Sequence, residues 1–172
     1  EHPLPKTESP RQPQSYDIQL EHVSFAYDEN AEKALDDVSL TVRQGTVTAL
    51  VGESGGGKST IANLIARFWD VQEGTVNIGG VDVCDMDYGE WMKRVSIVFQ
   101  DTSLFKMSIL ENVATFCPDA TREEILRALH LAQCDDILEK LPDGVDTVIG
   151  TKGIYLSGGE MQRIALARAI LK

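Results

Sequence analysis

The spacing of apolar residues changes several times along the chain, and each change marks an element. Ile18, Leu20, Val23 and Phe25 lie in a β-like stretch. Val38, Leu40 and Val42 alternate with polar residues, as a half-buried strand does. Asp28-Glu29-Asn30 reads as a polar turn between them, and Gly45 marks the next turn. These early strands are expected to pair antiparallel, as a small sheet beside the main core. Thr46–Val51 is nearly all apolar or β-branched, the composition of a buried parallel strand. Ile61, Leu64, Ile65 and Phe68 recur at helical spacing, which predicts a helix packed on the sheet. Gly74–Ile78 and Val81–Val83 read as short strands around Gly79-Gly80. Val95–Phe99 reads as another buried strand, ending at Gln100.

The character then turns helical. Thr121-Arg122-Glu123-Glu124 has the pattern of a capping box, followed by Ile125, Leu126, Leu129 and Ala132 at helical spacing. Leu138 and Leu141 close a second helical piece before Pro142. A last helix runs from Gly159 to Lys172 with Ile164, Ala167 and Leu171 on one face. Residues 1–16 hold four of the six prolines and predict an extended linker, with the domain proper beginning at 17. Strands that alternate with helices make this an α/β chain.

Composition narrows the function classes. The chain has 172 residues, enough for one domain with a real core. No apolar run approaches the ~20 residues of a membrane helix, and Glu1-His2-Pro3-Leu4-Pro5 lacks a signal-peptide pattern. A net charge of −11 argues against nonspecific nucleic-acid binding and against lying on anionic lipid. Cys84, Cys117 and Cys134 are odd in number and far apart, so they read as reduced thiols and not as zinc ligands. The three histidines are scattered and suggest no role.

The chemistry is concentrated in two glycine-rich strings. Gly52-Glu53-Ser54-Gly55-Gly56-Gly57-Lys58-Ser59-Thr60 lies between a predicted strand and a predicted helix, the context of a phosphate-binding loop. Its glycines let backbone N–H groups curl around phosphates. Lys58 supplies a point charge to the outer phosphates and Ser59 a hydroxyl for Mg²⁺. The helix adds its positive N-terminal end. About a hundred residues later, Leu156-Ser157-Gly158-Gly159-Glu160 precedes the last helix. A hydroxyl, bare N–H groups and a helix dipole there form a second anion site.

With these motifs in this order, the chain from about Tyr16 to Lys172 resembles the nucleotide-binding domain of ABC transporters, especially the exporter type. Gly52–Thr60 resembles Walker A, and Leu156–Glu160 the ABC signature. Gln100, in Val98-Phe99-Gln100-Asp101, resembles the Q-loop glutamine, and Tyr27 the aromatic residue that stacks on adenine. The resemblance implies a P-loop NTPase (RecA-like) core with an antiparallel β subdomain and an inserted helical subdomain over about 106–158. It implies ATP and Mg²⁺ as ligands, with Lys58 and Gln100 in catalysis, and Ser59 and Gln100 toward the metal. Tyr27, Gly52, Glu53, Ser54, Gly55, Gly56, Gly57, Lys58, Ser59, Thr60 and Gln100 would contact the nucleotide. Ser157, Gly158, Gly159 and Glu160 would cap the γ-phosphate held by a second nucleotide-binding domain, in a homo- or heterodimer. The loop Asp101–Phe105 would face the transmembrane domain of the same transporter, at the cytoplasmic side of the cell membrane. No nucleic acid and no direct membrane insertion are implied.

Three departures from the family pattern stand out. Glu160 replaces the usual glutamine; a carboxylate suits a helix N-terminus but would slightly repel a nearby phosphate. Thr151 replaces the usual acidic residue in the stretch Thr147–Gly153 that resembles a loop touching the transmembrane helices. Third, the sequence holds no counterpart of the Walker B aspartate, catalytic glutamate and switch histidine that follow the signature helix in the family. The chain is therefore expected to be a truncated piece lacking C-terminal strands, to bind ATP at best, and to turn it over negligibly. The alternative class is a non-transport ABC ATPase of translation or DNA repair; the stretch Gln100–Gly153 follows the exporter pattern instead. A GTPase would need Asn-Lys-x-Asp, which is absent, and a P-loop kinase has no need of the signature.

Overall fold

Leu20, Val23 and Phe25 are almost completely buried in the computed structural model, which describes residues 9–28, 31–150 and 154–172. They belong to β1 (Ile18–Phe25), which pairs antiparallel with β2 (Leu35–Val42), Leu20 opposite Leu40 and Ile18 opposite Val42. On its other edge β1 pairs antiparallel with β3 (Glu73–Ile78), and β3 with the two-residue β4 (Val81–Asp82). The sheet order is β2-β1-β3-β4; the antiparallel pairing of β1 with β2 is as the early apolar pattern predicts. The step from Leu20 to Val23, which breaks strict alternation, is a β-bulge: the β1–β2 register shifts there and His22 adopts φ 51°. Gly74 faces the bulge at φ 82°, and a Cβ on it would strike the carbonyl oxygens of Glu21 and His22.

Two helices complete this first unit, which ends at Val95. α1 (Lys58–Ile65) buries Ile61 and Leu64 with Leu20, Phe25, Leu35, Val76 and Ile78. It ends in a Schellman motif: Phe68 N–H reaches Asn63 O (2.9 Å) and Arg67 N–H reaches Leu64 O (3.0 Å). The left-handed position is filled by Arg67 (φ 55°) where glycine is usual. Its side chain gives the reason. Arg67 is 1% exposed; its Nε donates to Asp70 Oδ1 (3.1 Å) and its guanidinium to the Met86 carbonyl (3.2 Å). α2 (Tyr88–Arg94) was not legible in the apolar spacing, because it buries only Trp91. Its signals are polar: Asp87 caps the Glu90 N–H, and Lys93 and Arg94 occupy the last turn.

The second unit begins at Ser96 and is helical. α3 (Ile109–Ala114), α4 (Arg122–Leu131), α5 (Asp135–Lys140) and α6 (Gly158–Leu171) enclose Ile109, Val113, Ile125, Leu129, Ile137, Ile164 and Ala167. Each fully buried aliphatic side chain contributes about 2 kcal/mol, against about 1 kcal/mol for a helix cap. Apolar faces therefore decide that these helices pack, and caps decide where they begin. Three starts use the same reciprocal box: Ser108 with Glu111, Thr121 with Glu124 as expected from the sequence, and Ser157 with Glu160. Buried Asn112 ties the unit together. Its Oδ1 accepts from Phe105 N–H (2.8 Å) and its Nδ2 donates to the Phe105, Met107 and Ser108 carbonyls. Arg168 of α6 donates to the Asn112 carbonyl (2.8 Å).

Two expected strands do not form. Residues 46–51 are exposed throughout, with Val47 at 102% and Val51 at 92%, and 95–99 is likewise outside any strand. Neither finds a partner strand among the described residues, and a strand without a neighbour leaves its N–H and C=O groups to water. Glu29 and Asn30 of the expected turn, and residues 1–8 of the expected linker, lie outside the described residues. Among the described residues, no helix is long and apolar enough to cross a membrane.

Replacing Arg67 should expose how this turn is held. Arg67→Ala is expected to lower stability by about 3 kcal/mol, because Asp70 and the Met86 carbonyl lose a buried partner. Arg67→Gly should be less damaging by about 1 kcal/mol, since it removes the left-handed strain along with the contacts. Urea unfolding of the two variants checks the order.

Candidate functional site

The glycine-rich string of the first unit is a loop that ends at the first residue of α1. Gly56 N–H closes a turn on Glu53 O (3.2 Å), and Gly55 and Gly57 adopt φ 83° and 77°. Gly57 is buried, and a Cβ on it would lie 2.5 Å from Leu35 Cδ2 and 2.7 Å from the Ala34 carbonyl oxygen. Only glycine fits this approach of the loop to the start of β2. Gly57 is also the N-cap of α1 and provides no side-chain cap, and no acidic residue stands in the first turn. Side chains cap α2, α3, α4 and α6, and α5 carries Asp135 and Asp136 in its first turn. Among the described α-helices, α1 alone presents its N-terminal N–H groups and dipole without a protein cap or carboxylate. The Lys58 ammonium folds over the loop and donates to the Gly52 carbonyl (2.9 Å) and to that of Glu53. Ser59 is exposed beside it, while Thr60 is buried.

Tyr27 joins this loop. Its hydroxyl lies 3.0 Å from Thr60 Oγ1 and 3.4 Å from Asn63 Nδ2 of α1. The residue is 45% exposed, and its ring meets Phe25 and Trp69 edge-on, at centroid distances of 5.0 and 5.5 Å. Gln72 fixes the backbone just before it: its amide donates to Ala26 O (2.7 Å) and accepts from Ala26 N–H (2.9 Å). Trp69, Gln72 and Asn63 were not singled out in the sequence. Their relation to Tyr27 is tertiary and leaves no periodic trace.

The second unit brings Gln100 and the Ser157–Glu160 turn to one groove. The groove has a volume of about 480 Å³ and is lined by Val98, Phe99, Gln100, Gly159, Gln162 and Leu166, among others. Gln162 Nε2 donates to the Gln100 carbonyl (3.0 Å). Ser157 is exposed, but its hydroxyl is engaged: Oγ donates to Glu160 Oε2 (2.8 Å) and accepts from Glu160 N–H (3.3 Å). Glu160 Oε2 also accepts from Ser157 N–H (2.8 Å). That backbone bond, followed by the hydroxyl bond, holds the Glu160 carboxyl below the usual carboxylate range. Glu160 therefore supplies the negative charge at this helix end. Thr151, Lys152 and Gly153, where the departure at Thr151 falls, lie outside the described residues.

A family model described as ABC transporter matches residues 35–172. The chain belongs to the ABC transporter family. Among curated relatives, "ABC transporter B family member 28" of Arabidopsis thaliana is 46% identical over 159 residues, which are 91% of this chain and 22% of that protein. "Iron-sulfur clusters transporter ATM1, mitochondrial" of Candida glabrata is 44% identical over 157 residues, again 91% of this chain and 22% of that protein. A solved structure, "Structure of a bacterial Atm1-family ABC exporter with ATP bound", matches with a TM-score of 0.88 and 36% identity. That match covers 98% of this chain and 30% of the exporter chain. The ABC chain is thus of the exporter type, with the P-loop NTPase fold of that family, and spans about a fifth of the length of these curated relatives.

Two substitutions test the geometry of this ABC domain. Gly57→Ala should distort the loop and lower stability by about 2 kcal/mol, combining a close contact with left-handed strain; thermal unfolding reads it. Glu160→Gln should keep an acceptor for the Ser157 bonds but remove a titrating group. A depressed carboxylate stabilises fully above its ordinary range, near 4.5, and loses that contribution as pH falls through the lower folded value. The urea midpoint of the variant should therefore fall less steeply than that of the wild type as pH is lowered below about 4.5.

Proposed function

We propose that this chain is the ATP-binding part of an exporter's motor. The observation that carries the reading is the start of α1: an uncapped helix end without acidic residues, behind a glycine cradle, with Lys58 folded over it. This set of donors fits a polyphosphate. The N–H groups of Gly52, Glu53, Ser54, Gly55, Gly56, Gly57, Lys58, Ser59 and Thr60 would surround the phosphates. Lys58 would move from the Gly52 and Glu53 carbonyls to the outer phosphate oxygens, a stronger charge-assisted partner. Ser59, exposed at the second position of α1, would offer its hydroxyl to Mg²⁺. Tyr27 offers the base a half-exposed ring tied through Thr60 to the same helix.

Bound Mg-ATP supplies the chemistry, a phosphoryl group transferred to water with its charge neutralised by the metal. The chain's own residues bind and orient it. Gln100 would act toward the metal and the attacking water. Ser157, Gly158, Gly159 and Glu160 would face the γ-phosphate held by a second nucleotide-binding domain. In that role the Glu160 carboxylate must tolerate a nearby phosphate, which its bonds to Ser157 favour by turning it onto the cap. In the whole transporter, ATP would close the domain pair and hydrolysis reopen it, driving substrate export by an attached transmembrane domain from the cytoplasmic side of the membrane. The family's Walker B aspartate and catalytic glutamate have no counterpart in this sequence, so the chain by itself is proposed to bind ATP with little turnover.

Isothermal calorimetry with Mg-ATP tests the reading. Saturable binding is expected, weakened at least about tenfold by Lys58→Ala through loss of a charge-assisted contact. Equal heats from wild type and variant would overturn the phosphate-loop assignment. A phosphate-release assay should show no Lys58-dependent turnover; measurable release would refute the proposed lack of turnover.

A further inference from the structure

Tyr27 lies two residues beyond the end of β1, and the segment 67–72 brings Trp69 to its ring and Gln72 to the backbone of Ala26. Trp69 meets its ring edge-on at 5.5 Å with an interplanar angle of 86°, and Phe25 holds another side at 5.0 Å, also at 86°. Neither ring stacks parallel on Tyr27, so 45% of the residue stays exposed while its tilt is restrained from two directions. Trp69 is itself well placed to act as a support. Its neighbours are pinned: Arg67 is buried in the left-handed position that ends α1, and Asp70 Oδ1 accepts from both Arg67 Nε (3.1 Å) and Cys84 Sγ (3.4 Å). Two residues later, Gln72 grips both backbone groups of Ala26. The same helix thus carries the phosphate loop at its start and the support of the Tyr27 ring just beyond its end.

We infer that Trp69 is a positioning residue for base recognition: it holds the Tyr27 ring at the angle an adenine must meet, and it makes affinity for the base, but not for the phosphates, depend on the turn that ends α1. The inference rests on the nucleotide-binding reading above and assigns Trp69 no contact with the phosphates. An exposed tyrosine free to rotate would lose ordering entropy on stacking, whereas one braced by two edges loses little. The support is therefore felt only by ligands that carry a base.

The experiment compares two probes, Mg-ATP and Mg-tripolyphosphate, titrated calorimetrically into the wild-type chain and into Trp69→Ala and Trp69→Phe. Thermal unfolding is followed alongside. Trp69→Ala should weaken ATP by about three- to tenfold, the range of one aromatic edge contact, and leave tripolyphosphate within about twofold. Trp69→Phe, which keeps a ring on the same edge, should restore ATP affinity to within about twofold of wild type. Unchanged ATP affinity in Trp69→Ala overturns the inference. So does an equal loss for both probes, which marks general damage to the fold. If Trp69→Ala proves unfolded, a Trp69→Phe variant that loses ATP selectivity over tripolyphosphate overturns it too, and one that keeps that selectivity bears it out. A wild-type chain that binds neither probe overturns the nucleotide reading itself, and one that binds both equally overturns the role of Tyr27 while sparing the phosphate loop.

Discussion

The start of α1 is the constraint on which the first unit turns. A helix that is to greet an anion must not be capped by its own chain, so its first N–H groups stay unpaired. That instability is confined by packing. Gly57 lies against Ala34 and Leu35, and Leu35 belongs to the same apolar cluster as Ile61 and Leu64 of the helix. The loop is therefore seated on β2, and β2 on β1. A single absent Cβ permits that contact. The other end of α1 meets the opposite demand: its carbonyls are closed by a Schellman turn and by the Trp91 indole N–H, which donates to Ile65 O, so the helix is anchored where it does not have to act.

The second unit solves helix starts differently. Ser108, Thr121 and Ser157 each exchange hydrogen bonds with a glutamate three residues on, and the bonds hold Glu111, Glu124 and Glu160 below the usual carboxylate range. For α3 and α4 this is plain helix stabilisation. For α6 the same device falls on the residues of the ABC signature, where the carboxylate occupies the helix end that a phosphate would otherwise find open.

What could be read from the sequence was local. The pairing of β1 with β2, the Thr121 box, the extent of α6 and the glycine loop all rest on residues within a few positions of one another or on strict periodicity. The Ser157–Glu160 box has the same spacing as the Thr121 box and is equally local, although the family pattern makes its glutamate a departure. Residues 46–51 and 95–99 misled for a physical reason. Their composition suits a buried parallel strand, but such a strand depends on neighbours distant in sequence, and composition does not supply them. The surroundings of Tyr27 are hidden likewise: Trp69 at its ring and Gln72 on the Ala26 backbone come after a left-handed turn at Arg67, and no periodicity marks their contacts.

The bare stretch 46–51 also shapes how the molecules treat one another in solution. Thr46 to Val51 carries no charge and no proline and is rich in β-branched side chains, the makings of a segment that pairs with copies of itself. Opposing this is the net charge of −11, which makes like molecules repel. That repulsion reaches about 30 Å in 0.01 M salt but only about 8 Å at physiological ionic strength. Added salt therefore weakens the charge repulsion that opposes the pairing of two such stretches.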